Sequence, residues 1–321
     1  MIDLLDEIIS RCGAGEPLAV CTVVRTRGST PQKSGAVMVV LRDGRTLGTI
    51  GGGCVEAEVR TRALEYLSSR TPKLLTFKLD HDLGWDDGLV CGGSMDVAVQ
   101  IFDSPASAEP LRRAREILAA GREATVSVTV PDESGNPITF ERTLEPVPTL
   151  VIAGAGHVGE ALAPVAQRIG FRVVVIDDRA DLANARRFPG ATCVVGEIEQ
   201  ELAKFPIGEH TYVAIVTRGH RHDGRALAAV VGSPARYIGL IGSKRKVVTI
   251  FEDLHRTAGV PREQLERVHA PVGLDIGAVT PAEIAVSIAA ELIAVRRGRR
   301  EPAGVDAMRL TPAQVATAVT R

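Results

Sequence analysis

The chain has 321 residues, of which 45% are hydrophobic and 24% charged, with a formal net charge of −1. That length predicts two or three domains around a large buried core, and the composition is that of an ordinary globular protein. A near-neutral charge, 3% aromatic residues and no basic stripe interleaved with aromatics exclude a nucleic-acid surface. The five cysteines (Cys12, Cys21, Cys54, Cys91, Cys193) are odd in number and free of CxxC spacing, which argues against a disulfide framework or zinc ribbon and for a reducing compartment. The acidic amphipathic start has no basic leader and no apolar run reaches about 18 residues, so the expected location is the cytoplasm, away from membranes.

In chain order, residues 3–12 read as a helix and Leu18 to Arg25 as a strand, followed by the turn Gly28-Ser29-Thr30-Pro31 and strands at Gly35 to Leu41 and Thr46 to Ile50. Gly51-Gly52-Gly53-Cys54 then opens a helix through about Leu67. This triple glycine is a candidate anion cradle, and it sets Cys54 at the helix end that favours negative charge. A strand over 73–80 leads to the polar segment Asp80 to Gly88, then Cys91-Gly92-Gly93 and a strand from Met95 to Phe102. On residue pattern alone, Cys54 and Cys91 read more readily as small buried apolar groups than as exposed sulfurs at turns. A helix (Ala108 to Ala120) and a hairpin with its tip at 132–137 carry no candidate chemistry, and Glu145-Pro146-Val147-Pro148 marks a boundary.

From Thr149 to Asp178 an apolar run, Gly154-Ala155-Gly156-His157-Val158-Gly159, a small-residue helix and a second apolar run ending in carboxylates form a βαβ unit with GxGxxG. Gly154 suits the tight turn, Gly156 an approach to a phosphate, and Gly159 close packing of helix on strand. The helix start suits an anion, and Asp177 stands where a carboxylate would meet a ribose diol. Strands at Thr192 to Val195, Thr211 to Thr217 and Tyr237 to Ile241 follow, with helical stretches between them. The residues just beyond the strands matter most in such sheets. Here they are Thr217-Arg218-Gly219-His220-Arg221-His222-Asp223 and Gly242-Ser243-Lys244-Arg245-Lys246. The spacing of His220, His222 and Asp223 is a weak metal signature, so no metal site is assigned. Hydrogen bonding to a polar ligand, or an N-cap role for Asp223, fits better. Three cations at a helix start oppose the dipole, which an anion there would relieve. Thr280-Pro281-Ala282-Glu283 is a capping box opening a core helix that ends in the basic run Arg296 to Arg300.

Gly28 to Pro31, Gly48 to Glu56, Cys91-Gly92-Gly93, the Gly154 to Gly159 loop, Thr217 to His220, Ile241 to Lys244 and Pro271 to Glu283 together resemble the XdhC/CoxI family over nearly the whole chain. The resemblance implies α/β architecture: an N-terminal mixed α+β domain over 1–104, a middle helix–hairpin region and linker over 105–148, a C-terminal Rossmann-like domain with a parallel sheet over 149–300, and a tail over 301–321. It implies an accessory protein, a chaperone more than a catalyst. Such a protein binds the molybdopterin form of molybdenum cofactor, supports its sulfuration by a cysteine desulfurase and delivers it to an apo molybdenum hydroxylase such as xanthine dehydrogenase. Cys54 and Cys91 would then handle sulfur or contact the cofactor. Gly51, Gly52, Gly53, Gly154, Gly156, His157, Gly159, Asp177, Arg218, His220 and Ser243 would bind it, with Lys244 and Arg245 facing its anionic centre. A homodimer is compatible with this. The rival expectation is an NAD(P)-dependent oxidoreductase, against which no Tyr-x-x-x-Lys pair is found.

Overall fold

The computed structural model describes residues 2–79, 92–132 and 134–298, so the expectations placed on 80–88, Cys91, Arg299, Arg300 and the tail lie outside the described residues. The chain divides into two compact units, one ending at Pro146 and one beginning at Val147.

The first unit runs α1 (Ile2–Gly13), β1 (Leu18–Arg27), β2 (Val37–Leu41), β3 (Thr46–Gly48), α2 (Gly53–Ser69), β4 (Lys73–Lys78), β5 (Ser94–Phe102), α3 (Glu109–Ala119), β6 (Ala124–Pro131) and β7 (Pro137–Leu144). Five strands form an antiparallel sheet in the order β3-β2-β1-β5-β4. Alternate residues of β1 serve opposite faces. Ala19, Cys21 and Val23 pack with Val55, Val59 and Ala63 of α2, while Leu18 and Val20 pack with Ile8 and Cys12 of α1. With both faces covered, β2 is buried at every residue and shows no polar alternation. The β6–β7 hairpin joins this unit through Ala124, Val126 and Leu144, which meet Ala114 and Leu118 of α3 and Leu5 of α1.

The second unit runs β8 (Thr149–Ala153), α4 (His157–Arg168), β9 (Arg172–Asp177), β10 (Thr192–Val195), α5 (Ile198–Lys204), β11 (Thr211–Ile215), α6 (His220–Val230), β12 (Tyr237–Leu240), α7 (Lys244–Thr257), α8 (Arg262–Glu266) and α9 (Pro281–Arg296). Its sheet is parallel throughout, in the order β10-β9-β8-β11-β12. The order reverses between β8 and β11, which is the switch point where such sheets bind ligands. Helices α4 and α9 cover one face through Leu162, Ala166, Ile288 and Leu292, and α5, α6 and α7 cover the other through Leu202, Leu227 and Ile250. The second unit is a Rossmann-like domain and the first a mixed α+β domain. No helix joins β9 to β10. Residues 178–191 form isolated turns, with Ala183 and Phe188 drawn into the core and Pro189-Gly190 stopping further winding. Among the described residues, no helix is long and apolar enough to cross a membrane.

Candidate functional site

Two glycine-bearing regions gather the residues singled out by sequence. In the first unit, a Cβ at Gly93 would lie 2.2 Å from the Ser29 carbonyl oxygen, and one at Gly51 would lie 2.5 Å from Pro31 Cβ. The turn Gly28 to Pro31 therefore sits between the Gly92-Gly93 segment and the triple glycine, three motifs far apart in sequence. Glu56, in the first turn of α2, closes this turn: its Oε2 accepts from Thr49 Oγ1 at 2.7 Å, Gly52 N at 2.9 Å and Ile50 N at 3.3 Å. Gly51 N donates to Thr49 Oγ1 at 3.1 Å. Burial opposes ionisation of Glu56, but these hydrogen bonds outweigh it and hold the carboxyl below its ordinary range. Part of the expected anion cradle is thus spent on an internal carboxylate. Gly52 and Gly53 keep left-handed φ of 71° and 65° with open space where a Cβ would stand. Cys54, the second residue of α2, is half-buried, unlike the fully buried Cys12 and Cys21.

In the second unit, the loop after β8 is pinned on all sides. Gly154 N donates to the Ile176 carbonyl at 2.9 Å and Ala155 N to Asp177 Oδ2 at 2.7 Å. Arg187 reaches back from the β9–β10 connection to the Ala155 carbonyl at 3.2 Å and pairs with Glu160. A Cβ at Gly154 would stand 2.5 Å from the Val216 carbonyl oxygen, and one at Gly159 would stand 2.2 Å from that of Gly154. Both glycines are therefore required by packing. Gly156 is different, with φ −74° and nothing within 4 Å of a built Cβ. It caps α4 without any side-chain bond, and Gly219 caps α6 the same way, also facing open space. His157 and His220 are the first residues of those two helices, on either side of the switch point, and His157 is exposed.

Asp177 is 1% exposed and fully engaged. Besides Ala155 N, it accepts from Arg179 N at 3.0 Å and, side-on, from Arg179 Nε and Nη2, both at 2.8 Å. Burial pushes its carboxyl up, but the bonds from the Arg179 side chain and the Ala155 and Arg179 amides outweigh this and bring it down to about 2. Because the folded value is below the unfolded one, the stabilisation is present above about pH 4 and is lost as pH falls towards 2. Chemical unfolding of the wild type and Asp177→Asn should therefore show a stability difference that shrinks by about 2 kcal/mol between pH 5 and pH 2.

Arg218, after β11, donates to Asp178 Oδ2, after β9, at 2.7 Å. Since β8 lies between those strands, this exposed pair bridges across the end of β8. Lys244 and Arg245 are exposed on the first turn of α7, with Ser243 as its cap accepting from Lys246 N. Their neighbour Lys246, absent from the expected set, pairs with fully buried Asp223 of α6. Asp223 also accepts from Thr217 Oγ1 at 2.6 Å. It is therefore an internal counter-ion to Lys246, not the N-cap of α6, which is Gly219. Among the described residues no three His, Cys, Asp or Glu side chains cluster as a metal site. The tyrosines fall on α2 (Tyr66) and, fully buried, on β11 and β12 (Tyr212, Tyr237), so none lines the switch point as a hydride-site acid would.

A model of the XdhC Rossmann domain matches residues 150–292, and a model of the XdhC and CoxI family matches residues 12–78. The chain belongs to the XdhC and CoxI family. Among its relatives, the uncharacterised protein YqeB of Escherichia coli (strain K12) is 33% identical over 87% of this chain, which spans 44% of YqeB's length. A Bacillus subtilis (strain 168) protein described as a probable xanthine dehydrogenase subunit is 28% identical, with 88% of this chain and 94% of that protein aligned. The molybdenum cofactor insertion chaperone PaoD of E. coli (strain K12) is 27% identical, over 90% of this chain and 86% of PaoD. A crystal structure of a Bacillus halodurans protein described as a xanthine dehydrogenase superposes with a TM-score of 0.79 at 27% identity, covering 95% of this chain and 98% of that one. Within this family fold, the glycine turn before α2 and the β8–β11 switch point are the two places where motif residues converge.

Proposed function

We propose that this XdhC-type protein carries molybdenum cofactor as cargo, supports its sulfuration with a cysteine desulfurase, and delivers it to an apo molybdenum hydroxylase of the xanthine dehydrogenase kind. The observation that carries this reading is the convergence of the Gly28–Pro31, Gly51–Cys54 and Gly92–Gly93 motifs around a turn bearing a half-buried sulfur. Membership of the family and similarity to the chaperone PaoD support it.

The donor set fits an anionic, sulfur-rich cargo. Cys54 offers a thiol near which the molybdenum and its sulfur ligands would lie, and Cys91 joins it on the strength of the family pattern. Gly52 and Gly53, with no side chains to obstruct, would let the cargo approach the backbone. The Rossmann unit, taken by itself, has two helix starts that Gly156 and Gly219 leave uncapped by side chains, suited to a phosphate. Lys246, held by Asp223, and Arg218, held by Asp178, supply cations beside them. The bound cofactor supplies the metal and its exchangeable sulfur; the protein binds, orients and shields it. The cell compartment is the cytoplasm, where the client enzyme would be assembled.

Anaerobic incubation of the purified protein with molybdenum cofactor, then gel filtration with assay of molybdenum and oxidised pterin in the protein peak, tests the carrier reading. Near-stoichiometric co-elution is expected, and none would overturn it. Cys54→Ala should retain its folding transition yet hold the cofactor roughly tenfold less tightly, the scale of a lost contact near a metal. Unchanged retention would remove Cys54 from the site.

A further inference from the structure

We infer that the Rossmann unit reads a phosphate monoester through Arg179 at the carboxyl end of β9, and has given up the ribose-diol recognition that its GxGxxG loop and Asp177 would otherwise provide. For the identity of the ligand this rests on the cargo reading above; for its chemistry it rests on geometry alone.

A carboxylate that binds a ribose diol must offer its oxygens to two hydroxyl donors. Asp177 cannot do so in this arrangement. Each of its oxygens already accepts one backbone N–H and one guanidinium N–H, from Ala155 and Arg179, and the side chain is 1% exposed. Diol binding would break a bidentate ion pair under cover of protein, leaving a guanidinium without its partner. What the β9 end presents instead is the outer edge of the Arg179 guanidinium, with the Asp178 carboxylate 3.7 Å from its Nε and shared with Arg218. Arg179 is 31% exposed and spends two of its five N–H donors on Asp177, which fixes the plane of the fork. Arg218 is 46% exposed and stands over the neighbouring strand end, anchored by Asp178. A rigid, partly exposed guanidinium fork matches a phosphate dianion, not a neutral diol.

Phosphate monoesters of this kind occur on the side chain of molybdopterin and on the 2′ position of NADPH. Two pairs of fluorescent probes separate these sources: oxidised molybdopterin with and without its phosphate, and NADPH against NADH. Each is titrated against the full chain, Arg179→Lys, and the double variant Arg179→Gln/Asp177→Asn, which neutralises the buried pair together so that folding survives. The expected result is that, in at least one pair, the phosphorylated probe binds at least about tenfold tighter to the wild type, and that this preference falls to within about threefold in both variants. NADH binding as tightly as NADPH with no preference in the pterin pair, a preference that survives both variants, or no binding of any probe would each overturn the inference. Preference confined to the nicotinamide pair would uphold Arg179 and count against molybdenum cofactor as cargo. Retention of cofactor without any phosphate preference would uphold the cargo and remove Arg179.

Discussion

Gly154→Ala should destabilise the Rossmann unit by about 3–5 kcal/mol, whereas Gly156→Ala, two residues on, should leave stability unchanged or raise it by up to about 1 kcal/mol. At Gly154 the added Cβ meets the Val216 carbonyl oxygen at 2.5 Å, an atom of an adjacent strand end that has no rotamer to escape into. The same residue holds φ +123°, a region that side-chain-bearing residues rarely adopt. Gly159→Ala should behave like Gly154→Ala, because its Cβ meets the Gly154 carbonyl oxygen at 2.2 Å. At Gly156 the backbone is ordinary and the space is open, so alanine restricts the unfolded chain without straining the folded one. Urea unfolding of the three variants separates the glycines the fold needs from the one it does not. If Gly156→Ala kept its stability and also bound cofactor normally, that position would have no role in binding.

Glu291→Ala is expected to cost about 3–5 kcal/mol, although the residue stands outside every motif read from the sequence. This carboxylate sits on the inner face of α9. It accepts from the Tyr237 hydroxyl at 2.5 Å and Gly273 N at 2.9 Å through Oε2, and meets His269 Nδ1 at 3.1 Å through Oε1. Burial disfavours its charge, but the bonds from His269, Tyr237 and Gly273 outweigh that and hold its carboxyl below the usual range. Alanine would leave the fully buried Tyr237 hydroxyl and the half-buried Gly273 amide unpaired. Glu291→Gln retains an acceptor for both and should lose about 1–2 kcal/mol, so the gap between the two variants measures the unpaired donors. Equal midpoints for wild type and Glu291→Ala would show that the cluster holds nothing together.

The Rossmann unit was legible because its signals are local. Val173 to Ile176 and Tyr212 to Ile215 are apolar runs, the first ending in Asp177-Asp178 and the second leading to Thr217-Arg218-Gly219, and Thr280 with Glu283 forms both halves of the capping box that its spacing announced. In the β9–β10 connection Leu182, Ala183 and Ala185 suit a helix, yet the pull of Phe188 into the core and Pro189 limit it to turns. Three consecutive cations at Lys244 to Lys246 could not be ranked by sequence, since successive helical residues point about 100° apart and the deciding partner, Asp223, is brought near only by β11–β12 pairing. Asp177 shows the reverse case. Its position was correctly read as the strand-end acid, but the partner two residues later, Arg179, determines what it can bind. Glu291 left a signal that was passed over, a lone carboxylate in the apolar run from Ile288 to Ile293. The order of the first sheet was not legible, because β1 pairs with β5 across more than sixty intervening residues.

The most direct test of the carrier role is transfer. A cofactor-free molybdenum hydroxylase would be mixed with the cofactor-loaded protein, with an equal amount of free cofactor, or with loaded Cys54→Ala, and enzyme activity followed alongside loss of molybdenum from the carrier peak. Activity is expected to appear in step with that loss and to exceed what free cofactor gives, with the Cys54 variant falling towards the free-cofactor level. Activation no better than free cofactor, with molybdenum still bound to the carrier, would contradict the carrier role.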